Sequence, residues 1–216
     1  MRIVINPRYA SLLSSLGLDT PQGLLGHEGG ECVSRHTRGA TFRIPLEDGR
    51  VLFLKKDYYT KPAAILHRLA RFKAPETNTE REVRLLENAR AKGFRVPEIL
   101  AYLRHTPWLP PRRGAMLQLA LEGTPVEALV RSPQVSPEVK ERALEKARET
   151  LDRLQEAGLD WNRDCKPEHF FYCPDGEIAL LDGERLYPAR APLTREYRAG
   201  QHQRFDSFLP PEYRRS

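Results

Sequence analysis

Two aspartates and a histidine in this sequence stand at spacings that suit phosphoryl transfer. Asp164 lies in a polar loop, His169 follows five residues later, and Asp182 ends the second strand of the hairpin that comes next. Phosphoryl transfer leaves a protein little covalent work: it positions the reactants and neutralises charge. One carboxylate can orient an attacking hydroxyl and accept its proton. A second carboxylate, with a ligand five residues after the first, can hold metal ions that bridge nucleotide phosphates. A cation for the phosphates is needed too, and the run Leu52-Phe53-Leu54-Lys55-Lys56 offers two. Lys55 is preferred, because strand alternation puts it with Phe53 on the face opposite Leu52 and Leu54. Glu82, on a later helix, is its candidate partner.

These residues need elements to hold them. The first 26 residues read as short helices around Leu12, Leu13, Leu16 and Leu24. Residues 31–36, 40–46 and 50–55 read as three strands, with Glu47-Asp48-Gly49-Arg50 as a hairpin turn. Two helical segments follow: 62–72, basic on its flanks, and one capped by Asn78 or Thr79 that runs to about Lys92 with Val83, Leu85, Leu86 and Ala89 inward. Residues 98–103 and 115–121 read as further strands. The proline cluster around Trp108 is a turn between them, and Trp108 and Trp161 read as packing residues. A long helix from Ser136 to Gly158 carries an apolar stripe of Val139, Ala143, Ala147, Leu151 and Leu154. After it come the polar loop 160–168, a strand at 169–173, a Pro174-Asp175-Gly176 turn, and a strand at 177–181 that ends on Asp182. The segment from Arg185 to Arg215 is rich in arginine and reads as a solvated edge.

Composition excludes several classes. The 216 residues carry 35 Lys and Arg against 29 Asp and Glu, a net charge of +6, and 27 of the 35 are Arg. Arginine suits bidentate contact with phosphates and carboxylates, so an anionic partner is favoured. Mean hydropathy is −0.58 and no apolar run approaches 18 residues, which excludes a membrane-spanning helix. The start lacks the apolar core of a secretory signal. Three cysteines, Cys32, Cys165 and Cys173, make no disulfide framework and have no metal-ligand spacing, so a reducing cytoplasm is expected. No zinc-finger spacing, helix-turn-helix signature or aromatic-basic RNA motif is present, and a nucleic-acid partner is not expected.

The order of elements and joints follows the protein-kinase plan. Asn162-Arg163-Asp164-Cys165-Lys166-Pro167-Glu168-His169 parallels H-R-D-x-x-x-x-N, with Asp164 in the base position, and Leu181-Asp182-Gly183 stands where that pattern places its metal-binding Asp. Asn162 stands where many kinases have His. Within that plan the sequence resembles the lipopolysaccharide kinase (Kdo/WaaP) family from about residue 10 to 190. The resemblance rests on R-D-C-x-x-x-H-F over Arg163 to Phe170, L-D-x-x-R over Leu181 to Arg185, an Arg-Thr-rich first turn, F-L-K after the hairpin, and a basic helical insert before the main helix.

The resemblance implies an α+β, two-lobed protein-kinase-like fold with a small β-rich N-lobe and a minimal helical C-lobe. The expected divisions are a helical extension over 1–30, an N-lobe over 31–121 and a C-lobe over 122–216. It implies ATP and Mg²⁺ as cofactors, with Mn²⁺ as the alternative, because His169 offers an imidazole where Mg²⁺ prefers oxygen. The implied activity is transfer of the γ-phosphoryl group to a sugar hydroxyl, heptose or Kdo, of a lipopolysaccharide inner-core glycolipid. Asp164 would be catalytic, and His169 and Asp182 would bind metal. Arg38 and Gly39 in the first turn, Lys55, Glu82, and Gln118 and Ala120 of the hinge strand would bind the nucleotide. The basic insert 61–73 and the Arg-rich tail are expected to bring the chain to an anionic membrane surface from the cytoplasmic side. Two alternatives stand beside this: a catalytically inactive kinase-like scaffold, and a small atypical protein kinase. Taken singly, Lys55 is an ordinary solvated charge, Glu82 one of a run of helix charges, and Asp182 before Gly183 a turn formula. Their order from Lys55 to Asp182 is what argues for a site.

Overall fold

The structure, a computed structural model, describes residues 1–105, 113–161, 164–189 and 191–214. Trp108, Asn162 and Arg163, named above, lie outside the described residues. The chain divides into two compact units: Met1–Arg84 with Glu98–Ala120, and Leu85–Pro97 with Leu121–Ser216.

The first unit is built on a six-stranded antiparallel sheet of β1 (Arg2–Ile5), β2 (Glu31–His36), β3 (Gly39–Pro45), β4 (Val51–Asp57), β5 (Ile99–Arg104) and β6 (Gly114–Leu119), in the order β1-β5-β6-β4-β3-β2. β1 corrects the reading of a wholly helical start. Arg2 to Ile5 pair with Arg104 to Ala101, and that partner lies about a hundred residues away, where local pattern does not reach. Two short helices follow, α1 (Ala10–Ser15) and α2 (Pro21–Gly26). Leu13 and Leu24 of these helices and Leu18 between them are buried in one core with Phe42, Leu52, Leu54, Leu103, Ala115 and Leu117. The opening segment is thus the cover of one face of the sheet.

Registers Ala40↔Lys56, Thr41↔Lys55, Phe42↔Leu54 and Lys55↔Met116, Phe53↔Gln118 then sort the side chains. Leu52, Leu54, Ala115 and Leu117 fill that core, and Thr41, Phe53, Lys55, Met116 and Gln118 take the other face. Helix α3 (Pro62–Leu69) follows β4 and buries none of its residues. It stops three residues short of the expected Phe72, which has φ 53.

Helix α4 (Asn78–Ala91) is capped one residue earlier than read from sequence. Thr77 is the cap: the Glu80 N–H donates to its Oγ1 (3.1 Å) and the Thr77 N–H donates to Glu80 Oε2 (3.0 Å), a reciprocal capping box. The Asp57 carboxylate, at the end of β4, accepts from the Thr79 N–H at 2.8 Å. Gly114 leaves the space, since a Cβ there would lie 2.4 Å from Thr79 Oγ1 and 2.6 Å from Thr77 Oγ1. The start of α4 is therefore locked to β4 and β6. The unit boundary falls within this helix.

The second unit contains β7 (Thr124–Pro125), α5 (Val126–Arg131), α6 (Pro137–Glu156), β8 (Leu159–Asp160), β9 (Phe170–Tyr172), β10 (Ile178–Leu180), β11 (Tyr187–Pro188) and α7 (Arg195–Ser207). Strands β10, β9 and β7 form a three-stranded sheet, and β11 pairs with β8. Ala143, Ala147, Leu151 and Leu154 of α6 are buried as expected, whereas Val139 is exposed at the edge of the stripe. The arginine-rich end is not a solvated edge. It contains α7, which buries Gln201, Phe205 and Asp206. Asp206 accepts two bonds from the buried Arg148 of α6 (2.7 and 3.1 Å), and the same guanidinium donates to the Tyr213 carbonyl (2.8 Å).

Two outcomes follow. Asp206→Ala strands a buried guanidinium, and we expect a loss of about 3–5 kcal/mol in denaturant unfolding. Glu80 is desolvated, which raises its pKa, but bonds from the His105 side chain and from the N–H groups of Thr77 and His105 outweigh this and hold it below 4.5. The folded state thus favours the ionised carboxylate, and that stabilisation is complete above pH 4.5 and lost as pH falls through the lower folded value. Glu80→Gln should lower the melting temperature by about 2–4 °C at pH 7. The gap from the parent protein should narrow steadily as the melts are taken below pH 4.5.

Candidate active site

In the first unit, Lys55 Nζ lies 2.5 Å from Glu82 Oε1. The Glu82 side chain is 7% exposed and that of Lys55 23%, so the pair is largely removed from water. The lock between Asp57 and Thr79 explains the meeting. It fixes β4 two residues past Lys55 and α4 one turn before Glu82. Lys56 has a different fate on the opposite face. It is buried, sits 4.8 Å from the centroid of the Phe42 ring, and donates from Nζ to the carbonyls of Leu25 and His27. Burial, more than any neighbouring charge, pushes its pKa down. One lysine is presented and its neighbour is structural.

The other expected nucleotide contacts divide. Arg38 is exposed in the β2–β3 turn, its N–H donating to His36 Nδ1 (3.1 Å) and its carbonyl accepting from the Tyr58 N–H (2.8 Å). Gly39 is required by packing, because a Cβ would lie 2.4 Å from the Lys56 carbonyl oxygen. Gln118 sits on the Lys55 face of the sheet, 1% exposed, and its Oε1 has no partner among the described residues. An unsatisfied buried amide oxygen costs stability unless something else meets it. Ala120 is different: its N–H is spent on the Val51 carbonyl (2.8 Å).

In the second unit, α6 ends at Gly158 (φ 67) and the chain turns through β8 into Trp161. Trp161 is 1% exposed and stacks on the His169 ring, with centroids 5.5 Å apart and planes at 19°. It also packs on Phe170, which meets Phe205 of α7 edge to face at 5.2 Å. The Asp164 N–H donates to the Trp161 carbonyl (3.0 Å), hanging the loop from this aromatic stack. Asp164 Oδ2 lies 3.8 Å from His169 Nε2 and 3.7 Å from Arg185 Nε, and Oδ1 lies 3.6 Å from Lys166 Nζ. Sequence reasoning assigned no role to Lys166 or Arg185, although both stood in the quoted motifs. Cys165 beside them is buried and its thiol is pushed up to about 12, chiefly by burial, which makes it inert as a nucleophile.

His169 is 5% exposed. Burial lowers its pKa, against the opposing pull of Asp182, Asp164 and Glu168, so the ring is neutral at physiological pH. Its Nε2 is buried without a hydrogen-bond partner among the described residues. The His169 carbonyl accepts from the Leu181 N–H (2.8 Å), which brings the end of β10 back to the loop one residue before Asp182. Asp182 has φ 59, a left-handed conformation uncommon for a non-glycine residue and a recurrent mark of functional positions. Gly183 has no room for a side chain, because a Cβ would lie 2.6 Å from Leu86 Cδ2.

The donor chemistry fits a metal that arrives with a phosphate. Among the described residues no group of three His, Cys, Asp or Glu side chains could hold an ion by itself. A carboxylate and a neutral imidazole with an unspent nitrogen complete a coordination shell only when phosphate oxygens and water supply the rest, which is the habit of Mg²⁺ and Mn²⁺ in nucleotide sites.

Comparison with known proteins agrees with this geometry. Residues 33–197 match the model of the lipopolysaccharide kinase (Kdo/WaaP) family. No curated protein matches the chain. Among solved structures, "WaaP in complex with acyl carrier protein" superposes with a TM-score of 0.65 at 18% identity, covering 95% of this chain and 80% of that one. At that identity the likeness speaks to the fold, which is kinase-like. With the family model spanning three quarters of its length, the chain belongs to the lipopolysaccharide kinase (Kdo/WaaP) family.

Proposed function

We propose that this kinase uses ATP to phosphorylate a sugar hydroxyl, heptose or Kdo, of a lipopolysaccharide inner-core glycolipid. The observation that carries the reading is the Lys55–Glu82 pair: an ammonium held at 2.5 Å by a buried carboxylate, on the sheet face opposite the large core. A lysine so fixed is pre-organised to contact the α- and β-phosphates, and needs no rearrangement when they bind. The Gln118 amide on the same face offers an acceptor to the base.

Asp164 orients the acceptor hydroxyl and takes its proton as the bond to phosphorus forms. Lys166 and Arg185, both within 4 Å of that carboxylate, balance its charge and face the incoming phosphoryl group with positive potential. Asp182 and His169 would hold a divalent metal, Mg²⁺ or Mn²⁺, whose contribution when bound is to neutralise the phosphates. His169 being neutral suits it to ligation, since an imidazolium has no lone pair to give.

Calorimetry with ATP and Mg²⁺ or Mn²⁺ tests the reading. Binding should depend on metal and disappear in Asp182→Ala. His169→Asn should shift the preference from Mn²⁺ towards Mg²⁺ while the protein stays folded. Absence of nucleotide binding with either metal, in folded protein, would turn the assignment to an inactive scaffold.

Activity assays with labelled ATP should then show phosphate on inner-core glycolipid, not on protein. Asp164→Asn should lower turnover by about 10²–10⁴ with little change in nucleotide affinity. The two neighbouring lysines should separate cleanly. Lys55→Met should lose nucleotide binding and turnover, with a loss of stability from the buried Glu82 carboxylate whose ammonium partner it removes, and Lys56→Met should lower the melting temperature and retain turnover.

A further inference from the structure

The sequence between β4 and α4 is unusual in what it leaves outside. Of ten large hydrophobic side chains exposed among the described residues, five lie here: Tyr58, Tyr59, Leu66, Leu69 and Phe72. Leu66 is 68% exposed and Phe72 is 91% exposed. Helix α3 buries no residue, yet Ile65, Leu66 and Leu69 share one side of it at helical spacing, with His67 and Arg71 off that side. An amphipathic helix in a globular protein normally turns its apolar side inward. This one is tethered by polar bonds instead. Arg68 donates to the Ala74 carbonyl (2.7 Å) and pairs with Glu76 (2.6 Å), which also holds Arg84 (2.9 Å). The tether fixes the helix and leaves its apolar side unspent.

Two further observations bear on what would cover it. Phe72 has φ 53, a conformation that is strained for a bulky residue. The structure thus spends backbone energy in the turn after the helix, where it holds a phenyl ring out in solvent. The charge is also of one sign. From Lys61 to Ala74 there is no Asp or Glu, and Lys61, Arg71 and Lys73 pair with no carboxylate among the described residues. A helix of eight residues is about 12 Å long, too small to supply the ~800 Å² per partner of a standard protein interface. Insertion into a lipid headgroup layer needs no shape complementarity. It needs apolar side chains on one side, cations beside them, and an anionic surface.

We infer that α3 and the Phe72 turn are an interfacial anchor, which docks this kinase on an anionic bilayer by burying Leu66, Leu69 and Phe72 among the acyl chains while Lys61, Arg71 and Lys73 meet lipid phosphates. The sense of such an anchor rests on the reading of the acceptor as a glycolipid, but the test is independent of it, because the assay contains neither nucleotide nor acceptor. The full chain is floated with vesicles of phosphatidylcholine with and without phosphatidylglycerol. Binding should require the anionic lipid and weaken with salt. Leu66→Ser with Phe72→Ser should reduce partition about tenfold or more, and Arg71→Glu or Lys73→Glu about fivefold or more each. All four positions are exposed, so melting temperatures should not move, and the retained fold keeps the comparison valid. No flotation with phosphatidylglycerol vesicles, or equal flotation of the Leu66/Phe72 variant, overturns the inference. Retention on immobilised polyglutamate without vesicle binding also overturns it, in favour of an acidic protein partner.

Discussion

An ammonium group drawn out of water against a β-sheet must be paired, and the first unit is arranged around that requirement. Lys55 is on the strand that also builds the core, so its neighbours Leu54 and Lys56 point the opposite way. The carboxylate that meets it comes from a helix, and a helix can slide or turn by a residue unless its end is held. Three contacts hold it: the Thr77–Glu80 capping box, the Asp57 carboxylate on the Thr79 amide, and the space at Gly114. A shift of one residue would rotate Glu82 by about 100° and remove it from Lys55. A buried ion pair adds little net stability, because desolvation offsets attraction. What the arrangement supplies is position: a lysine fixed in place against its carboxylate.

The second unit solves a different problem with aromatic packing. A loop that carries a carboxylate and an imidazole has few backbone partners of its own. Here its base is the Trp161–His169 stack and the Trp161–Phe170–Phe205 contacts. The stack does chemical as well as mechanical work, since the burial it imposes on His169 keeps the ring neutral beside three carboxylates that favour the charged form. The first unit thus pairs its lysine with a buried carboxylate, and the second keeps its imidazole neutral by covering it.

Much of this was legible in the chain. Alternation in Leu52 to Lys55 sets the face of the functional lysine, and the apolar stripe of α6 sets the helix that precedes the loop. Local pattern failed where the deciding partner is distant. β1 is a strand because β5 is there to pair with it. The cap of α4 was misread by one residue because Asn78 and Thr79 are as good a capping residue type as Thr77, and only the reciprocal bond with Glu80 distinguishes them. The spending of the Ala120 amide on Val51 was equally invisible. The stack on His169 and the clustering of Lys166 and Arg185 around Asp164 are properties of three-dimensional folding alone, although both cations stand in motifs that could have drawn attention to them.

The C-terminal segment shows why charge counting is a poor guide to place. From Arg185 onward the chain is enriched in arginine, which reads as a solvated tail. Yet a few residues suffice to fold it. Phe205 reaches the aromatic stack, Asp206 takes the Arg148 guanidinium, and Gln201 bonds both Gln155 and the Asp160 carboxylate. Asp160 directly precedes Trp161, so α7 grips the loop that carries Asp164 at its entrance, through Asp160, and at its exit, through Phe170. A few buried groups therefore suffice to steady this loop, because they are aimed at its two ends. Among the arginines that make the tail read as a solvated edge, Arg195 and Arg204 stay exposed on α7 while its Phe205 and Asp206 make those contacts.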